Sequence, residues 1–262
     1  MGGFGQSSPL SAGGSPPRLS RLRFCWVSHE TETVRVNFGK PIPLFPLGAV
    51  TLLPHAVLPL HIFEPRYRQM IEHVLDGNGQ IAMAVMDHDK TEDIPGAAPA
   101  LKPAVCVGQI VQHERLIDGR YNILLQGVCR AKIHREDAPE GDRLYRQAAL
   151  RPIEVFDADG EELDAIRERL HFLLTESPLR NLAASENVAS CLSRPEAPTA
   201  AILELVGVSL ITNETVRYEL LEQGDPLARA NLIEDELLDL RTLLSRAEKQ
   251  LDPDAPKGVH WN

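Results

Sequence analysis

The apolar residues of this 262-residue chain change their spacing once, near Asp157, from a period of about two to a period of about 3.6. Alternation is the signature of strands and the longer period that of helices, so the chain divides into a sheet-forming first half and a helix-forming second half. The boundary falls between residues 156 and 157. With 43% hydrophobic residues, both halves can bury a core.

From Pro41 onward, strand-like runs are separated by turn residues, with one short helix near the start. Pro65 suits the first position of that helix, Met70, Ile71 and Val74 form its apolar stripe, and Gly77 is placed to end it in a left-handed conformation. Gln80 to Asp87 follows as a strand, and a polar loop runs from His88 to Pro103. Val105 to Leu116 and Arg120 to Gln126 then read as a hairpin turning tightly at Asp118-Gly119. Gly127 interrupts or bulges the next strand before the alternating run Val128 to Ile133. A further strand covers Leu144 to Phe156, with Pro152 at an edge or bulge because it has no N–H to donate. Several short antiparallel strands of this kind predict a closed or nearly closed barrel.

Beyond Asp157, Leu163, Ile166, Leu170 and Leu173 mark a helix from about Gly160 to just before Pro178. Shorter helices follow to Gln223, broken around Pro195 and Pro198. Gly224 closes one helix and Asp225-Pro226 opens the next, because Asp accepts from free amides and Pro loses nothing at the first position. The final helix carries Ala230, Ile233, Leu237, Leu240, Leu244, Ala247 and Leu251 at spacings of three and four. This seam packs on the preceding helices or supports self-association.

Residues 1–28 contain no acid, six serines and Arg18, Arg21 and Arg23, a composition unsuited to a packed core. Residues 1–40 are therefore expected to form a disordered extension, with an organellar targeting segment as the alternative. The four cysteines include no CxxC pair, and Cys106 and Cys129 lie in apolar strands; they read as reduced, which points to the cytoplasm. No run approaches the roughly 20 apolar residues of a membrane span; Glu204 interrupts the apolar character near Leu203 to Ile211. The net charge of −10 and the absence of a basic stripe argue against nucleic acid.

The chemistry of common enzymes is missing. Gly39-Lys40 is followed by Pro41, and position 34 is Val where a phosphate loop needs Gly. None of the lysines has the apolar surroundings and nearby serine of a serine-lysine peptidase. Nine histidines include no HExxH, and His61 with Glu64 is too sparse to hold a metal, so neither metal nor cofactor is expected.

The stretch Pro43-Leu44-Phe45-Pro46-Leu47, then Pro54 to Met70 containing His61-Ile62-Phe63-Glu64-Pro65-Arg66-Tyr67, resembles the opening of the Lon protease N-terminal domain. Gly77 to Ala84, Gly108 to Val111 and Asp118 to Arg130 resemble that family's helix exit, next strand and central hairpin, in family order. The resemblance covers about residues 41 to 250. It implies an α+β fold, a PUA-like, mostly antiparallel β-barrel over 41–156 followed by a C-terminal α-helical bundle over 157–250, with 251–262 as a tail. It further implies a stand-alone, non-catalytic module without ATPase or protease domains. Such a module would bind exposed apolar segments of client proteins and serve as a quality-control or proteolysis adaptor, with an ATP-dependent protease as a partner. An RNA-binding or small-molecule-sensing barrel is the alternative. Phe45, Phe63, Tyr67 and Tyr121, aromatics near element ends, are the candidate peptide contacts. His61, Glu64, Pro65 and Arg66 are motif residues with a structural part: Ile62 and Phe63 fill the barrel mouth, Pro65 starts the helix, and Glu64 and Arg66 tie the junction.

Overall fold

The computed structural model describes residues 34–48, 50–90, 98–153, 160–176 and 178–251. Six strands come first: β1 (Ile42–Leu47), β2 (Val57–Ile62), β3 (Gln80–Met86), β4 (Leu101–Arg115), β5 (Tyr121–Asp137) and β6 (Gln147–Pro152), with helix α1 (Pro65–Leu75) between β2 and β3. Five further α-helices follow: α2 (Gly160–Thr175), α3 (Ser185–Leu192), α4 (Thr199–Leu210), α5 (Glu214–Glu222) and α6 (Pro226–Leu251). The architecture is α+β, as the change of period predicts. The expected boundary at 156–157 and the tail after Leu251 lie outside the described residues.

Strand order is β2-β5-β4-β3-β1-β6, and β6 returns to pair with β5, so the sheet curls into a barrel-like circuit with β2 attached outside it. The pairings are antiparallel except β1 with β3. Leu44, Ala82, Ala84, Val105, Val107, Ala131, Ala148 and Leu150 form one buried cluster within the circuit. Alanine recurs there because a sheet of few strands leaves little room between its walls. The alternate residues Phe45, Ile81, Met83 and Cys106 belong to a second, larger cluster shared with α1 and the C-terminal helices. Burial on both faces explains why Gln80 to Val85 is continuously buried rather than alternating.

Within the helical half α2 packs on α3, α4 and α6, burying Leu163, Ile166, Leu170, Leu173 and Leu174, while α5 meets the sheet at β4 and β5. Each fully buried leucine contributes about 1.5–3 kcal/mol of hydrophobic free energy. Leu237 on α6 is fully buried and Leu240 and Leu244 are partly buried against the core, whereas Ala247 is exposed, so the apolar seam of α6 is covered at its start and uncovered towards its end.

Four local expectations are corrected. Residues 34–40 were expected to be disordered, but Val36 and Phe38 pack against the barrel interior. Gly79, not Gly77, takes the left-handed backbone after α1, with φ +67. The chain makes a longer exit, in which the N–H groups of Gly77 and Gly79 both donate to the Val74 carbonyl. Pro103 lies inside β4 rather than in a loop, exposed and opposite the register irregularity between Ala84 and Met86, where a missing N–H is tolerated. At the hairpin, Gly119 alone of the Asp-Gly pair has positive φ; the Leu116 N–H donates to the Arg120 carbonyl and the Gly119 N–H to the Leu116 carbonyl. That is a three-residue loop with a left-handed glycine, the next commonest solution after the two-residue turn.

Candidate functional site

Beyond the barrel circuit, β2, the first half of β5 and the last third of β4 form a three-stranded wing. Register across it is Ile62–Tyr121–Arg115, His61–Asn122–Glu114, Leu60–Ile123–His113 and Pro59–Leu124–Gln112. Because side chains alternate, Ile62, Tyr121, Ile123 and Leu125 face the core, while Val57, Pro59, His61, Asn122, Leu124 and Glu114 face outward. β2 is the outer edge of this wing, and its proline fits an edge position.

The turn into β2 depends on close backbone approach. His55, with φ +64, donates its N–H to the Gly127 carbonyl, and the Gly127 N–H donates to the Ala56 carbonyl. A Cβ on Gly127 would lie 2.2 Å from the Leu53 carbonyl oxygen. The strand is not broken at Gly127; β5 runs through it with a register shift opposite Val107 and Gly108.

The outer face combines apolar surface with one polar row. Phe63 is 61% exposed and Val57 41% exposed. The Phe63 ring lies near-parallel to that of His61, with centroids 6.3 Å apart. His61 Nδ1 meets Asn122 Oδ1 at 2.7 Å, Asn122 Nδ2 donates to Glu114 at 3.2 Å, and Arg120 Nη1 lies 3.2 Å from His61 Nε2. The tautomer with hydrogen on Nδ1 satisfies both histidine contacts. Arg120 is held in turn by Asp118 at 2.6 Å, which keeps that carboxyl below its ordinary pKa, chiefly through this hydrogen bond. A hollow of about 380 Å³ lies over Pro59, Leu124, Gln112 and Asn122.

Of the four aromatic candidates, Phe63 is in solvent, whereas Phe45, Tyr67 and Tyr121 are buried. Phe45 and Tyr67 meet edge to face at 4.6 Å, locking β1 to α1. Tyr121 donates to Glu72 at 3.3 Å, and burial pushes its phenol pKa upward. At the junction, Ile62 is buried as expected, but Phe63 points out of the mouth it was expected to fill. The strand's alternation explains this: residues 62 and 63 cannot both face inward unless the chain turns between them. Glu64 and Arg66 pair at 2.7 Å, Arg66 lies 4.6 Å over Tyr67, and Pro65 opens α1. The His61–Asn122–Glu114 row escaped sequence reading because its members come from three strands; the alternation of β2 was its one local signal.

The site's groups suit non-covalent recognition. His61 is engaged at both ring nitrogens, and among the described residues no group of three or more His, Cys, Asp or Glu is placed to hold a metal. No helix of the described residues is long and apolar enough to cross a membrane.

The model of the ATP-dependent protease La (LON) substrate-binding domain matches residues 41–239. The chain belongs to the Lon substrate-binding domain family. It is 27% identical over 223 residues to the Lon protease of Solibacter usitatus, covering 81% of this chain and 27% of that protein. It is also 27% identical over 202 residues to the Lon protease of Desulfovibrio desulfuricans, covering 75% of this chain and 22% of that protein. The chain thus spans about a quarter of the length of these Lon relatives. The solved N-terminal domain of Mycobacterium avium complex Lon protease superposes with a TM-score of 0.58 at 19% identity, covering 76% of this chain and 99% of that one, which establishes a shared fold. The Lon-family match includes the whole wing, α1 and most of the helical half.

Proposed function

We propose that this chain binds extended, apolar polypeptide segments without catalysis, along the outer face and free edge of β2, with Phe63 as the anchoring side chain. The observation that carries this reading is the solvent-exposed Phe63 directly after an edge strand, β2, whose far end carries the exposed Val57, in a chain of a substrate-binding family. An edge strand offers backbone groups for an added strand, and an exposed aromatic offers a contact that selects apolar partners. The buried Phe45, Tyr67 and Tyr121 support the wing from beneath rather than touching the ligand. The role is quality control in the cytoplasm, in which bound clients pass to an ATP-dependent protease.

Fluorescence anisotropy with a labelled, unstructured apolar peptide tests the site. Phe63→Ser removes one buried phenyl contact, so affinity should fall about 10- to 100-fold. Unchanged affinity with the fold intact would move the site off the wing. No binding by the unaltered chain would sink the reading itself. Co-purification of an ATP-dependent protease from native cells tests the adaptor role.

A further inference from the structure

On the opposite side of α1 from Glu72 and Asp76, a cleft of about 550 Å³ opens between the segment 34–43, the exit of α1 and the start of β6. Its volume is that of a small-molecule site rather than a polymer track. Three basic side chains line it, Arg35, Lys40 and His73, and no aspartate or glutamate does. In a chain with 37 acidic and 27 basic residues, that composition is a marked local reversal. Arg66, Arg115, Arg120 and Arg146 each face a carboxylate, whereas Arg35 and Lys40 have no such partner among the described residues.

The cleft is held in shape by groups that do not depend on an occupant. Gln80 is 3% exposed; its amide donates to the Arg35 carbonyl at 3.0 Å and to Gln109 at 3.2 Å, and accepts from Asn78 at 2.9 Å. Asn37 accepts from the Gly39 N–H at 2.9 Å, fixing the turn that presents Lys40. His73 Nδ1 lies 3.0 Å from the Tyr145 hydroxyl, with the two rings edge to face at 5.7 Å. Ile42 and Val74 add apolar wall beside these polar groups.

We propose that this cleft binds a small organic anion, its phosphate or carboxylate held by Arg35 and Lys40 and its apolar part against Ile42 and Val74. Two cations without carboxylate partners among the described residues, arranged over an acid-free lining, favour an anionic group, and the lining amides offer further donors. The site is separate from the polypeptide-binding wing and stands whether or not that reading holds.

Isothermal titration of the full chain at low ionic strength, with adenosine monophosphate and succinate as probes, tests it. At least one probe should bind with Kd below about 1 mM. R35E/K40E should weaken that probe by at least ~10-fold, because attraction becomes repulsion, while Arg246→Glu on exposed α6 should leave it unchanged. Circular dichroism establishes that each variant is folded; if the double variant is not, Lys40→Ala should still weaken binding by about 3-fold or more. Binding of the nucleotide alone assigns a phosphate headgroup and binding of succinate alone a carboxylate. No binding of either probe at about 10 mM, or equal affinity in folded R35E/K40E, overturns the proposal.

Discussion

Glu204 joins two arginines from different elements through one buried carboxylate. It is 5% exposed on α4, with one carboxylate oxygen 2.6 Å from Arg130 of β5 and the other 3.2 Å from Arg229 of α6. Arg130 also donates to the Leu220 carbonyl at 3.0 Å, so sheet, α4, α5 and α6 meet at one buried triad. Glu204→Ala would remove one carboxylate from between two buried guanidinium groups and should cost about 3–5 kcal/mol in urea unfolding. Replacing all three residues with apolar ones of similar volume should cost far less. In the sequence Glu204 reads as an interruption in an apolar run; its partner Arg130 is 74 positions away, beyond any local pattern. Tyr67, Tyr121, Tyr145 and Tyr218 are all shifted upward, with burial the largest cause, and Tyr218 is pushed to about 12 from an ordinary 10.0. A raised phenol pKa means the fold prefers the neutral form. The stabilisation from Tyr218 is therefore complete below about pH 10 and lost as pH rises through about 12. Absorbance titration should show phenolate appearing later than in the unfolded chain. Tyr218→Phe should flatten this alkaline loss and, by leaving the Ala104 N–H without its 2.9 Å acceptor, cost about 1–3 kcal/mol at neutral pH.

Helix ends show which elements can be read locally. Asp225 accepts from the Leu227 N–H at 3.0 Å ahead of Pro226, and Asn213 accepts from the Thr215 N–H at 3.1 Å at the start of α5. Asp225→Ala should destabilise the chain by about 1 kcal/mol, measured as a lower denaturation midpoint at unchanged slope. These caps lie within two residues of the amides they serve, so composition and order suffice to recognise Asp225-Pro226. The C-terminal ends of α3, α4 and α5 are closed differently, by arginines. Arg167 donates to the Leu192 and Ala197 carbonyls, Arg217 to Val208 and Ile211, and Arg229 to Gln223 and Gly224. An arginine satisfies otherwise open carbonyls and complements the negative end of the helix. Arg167 reaches from another helix, 25 to 30 positions away in sequence, and nothing near Leu192 announces it. The exit of α1 failed in the reading for a related reason. Either Gly77 or Gly79 could end the helix on local rules, and the contact of Gly79 with Gln109 on β4 belongs to the assembled sheet.

At the scale of the whole molecule, the described residues form one compact unit in which sheet and helices share a continuous apolar cluster, fastened by the Glu204 triad and the Tyr218–Ala104 hydrogen bond. Far-ultraviolet circular dichroism, reporting the helices, and tyrosine signals, reporting mainly the sheet side, should therefore show coincident unfolding midpoints. Separate midpoints would mean the two halves fold independently. Sequence by itself determined the order of elements, the change from strand to helix, the start of α1 at Pro65 and the family, because alternation, helical stripes and caps are set by residues a few positions apart. It also marked His61 to Arg66 as a junction. Only the tertiary structure decided that Phe63 faces solvent while Phe45, Tyr67 and Tyr121 are buried, since an aromatic at an element's end can point either way until the neighbouring strands fix the face. The same holds for the acid-free cleft of Arg35, Lys40 and His73 and for the triad around Glu204: their members are dispersed along the chain, and charge or burial acquires a meaning there only when folding sets the distances between them.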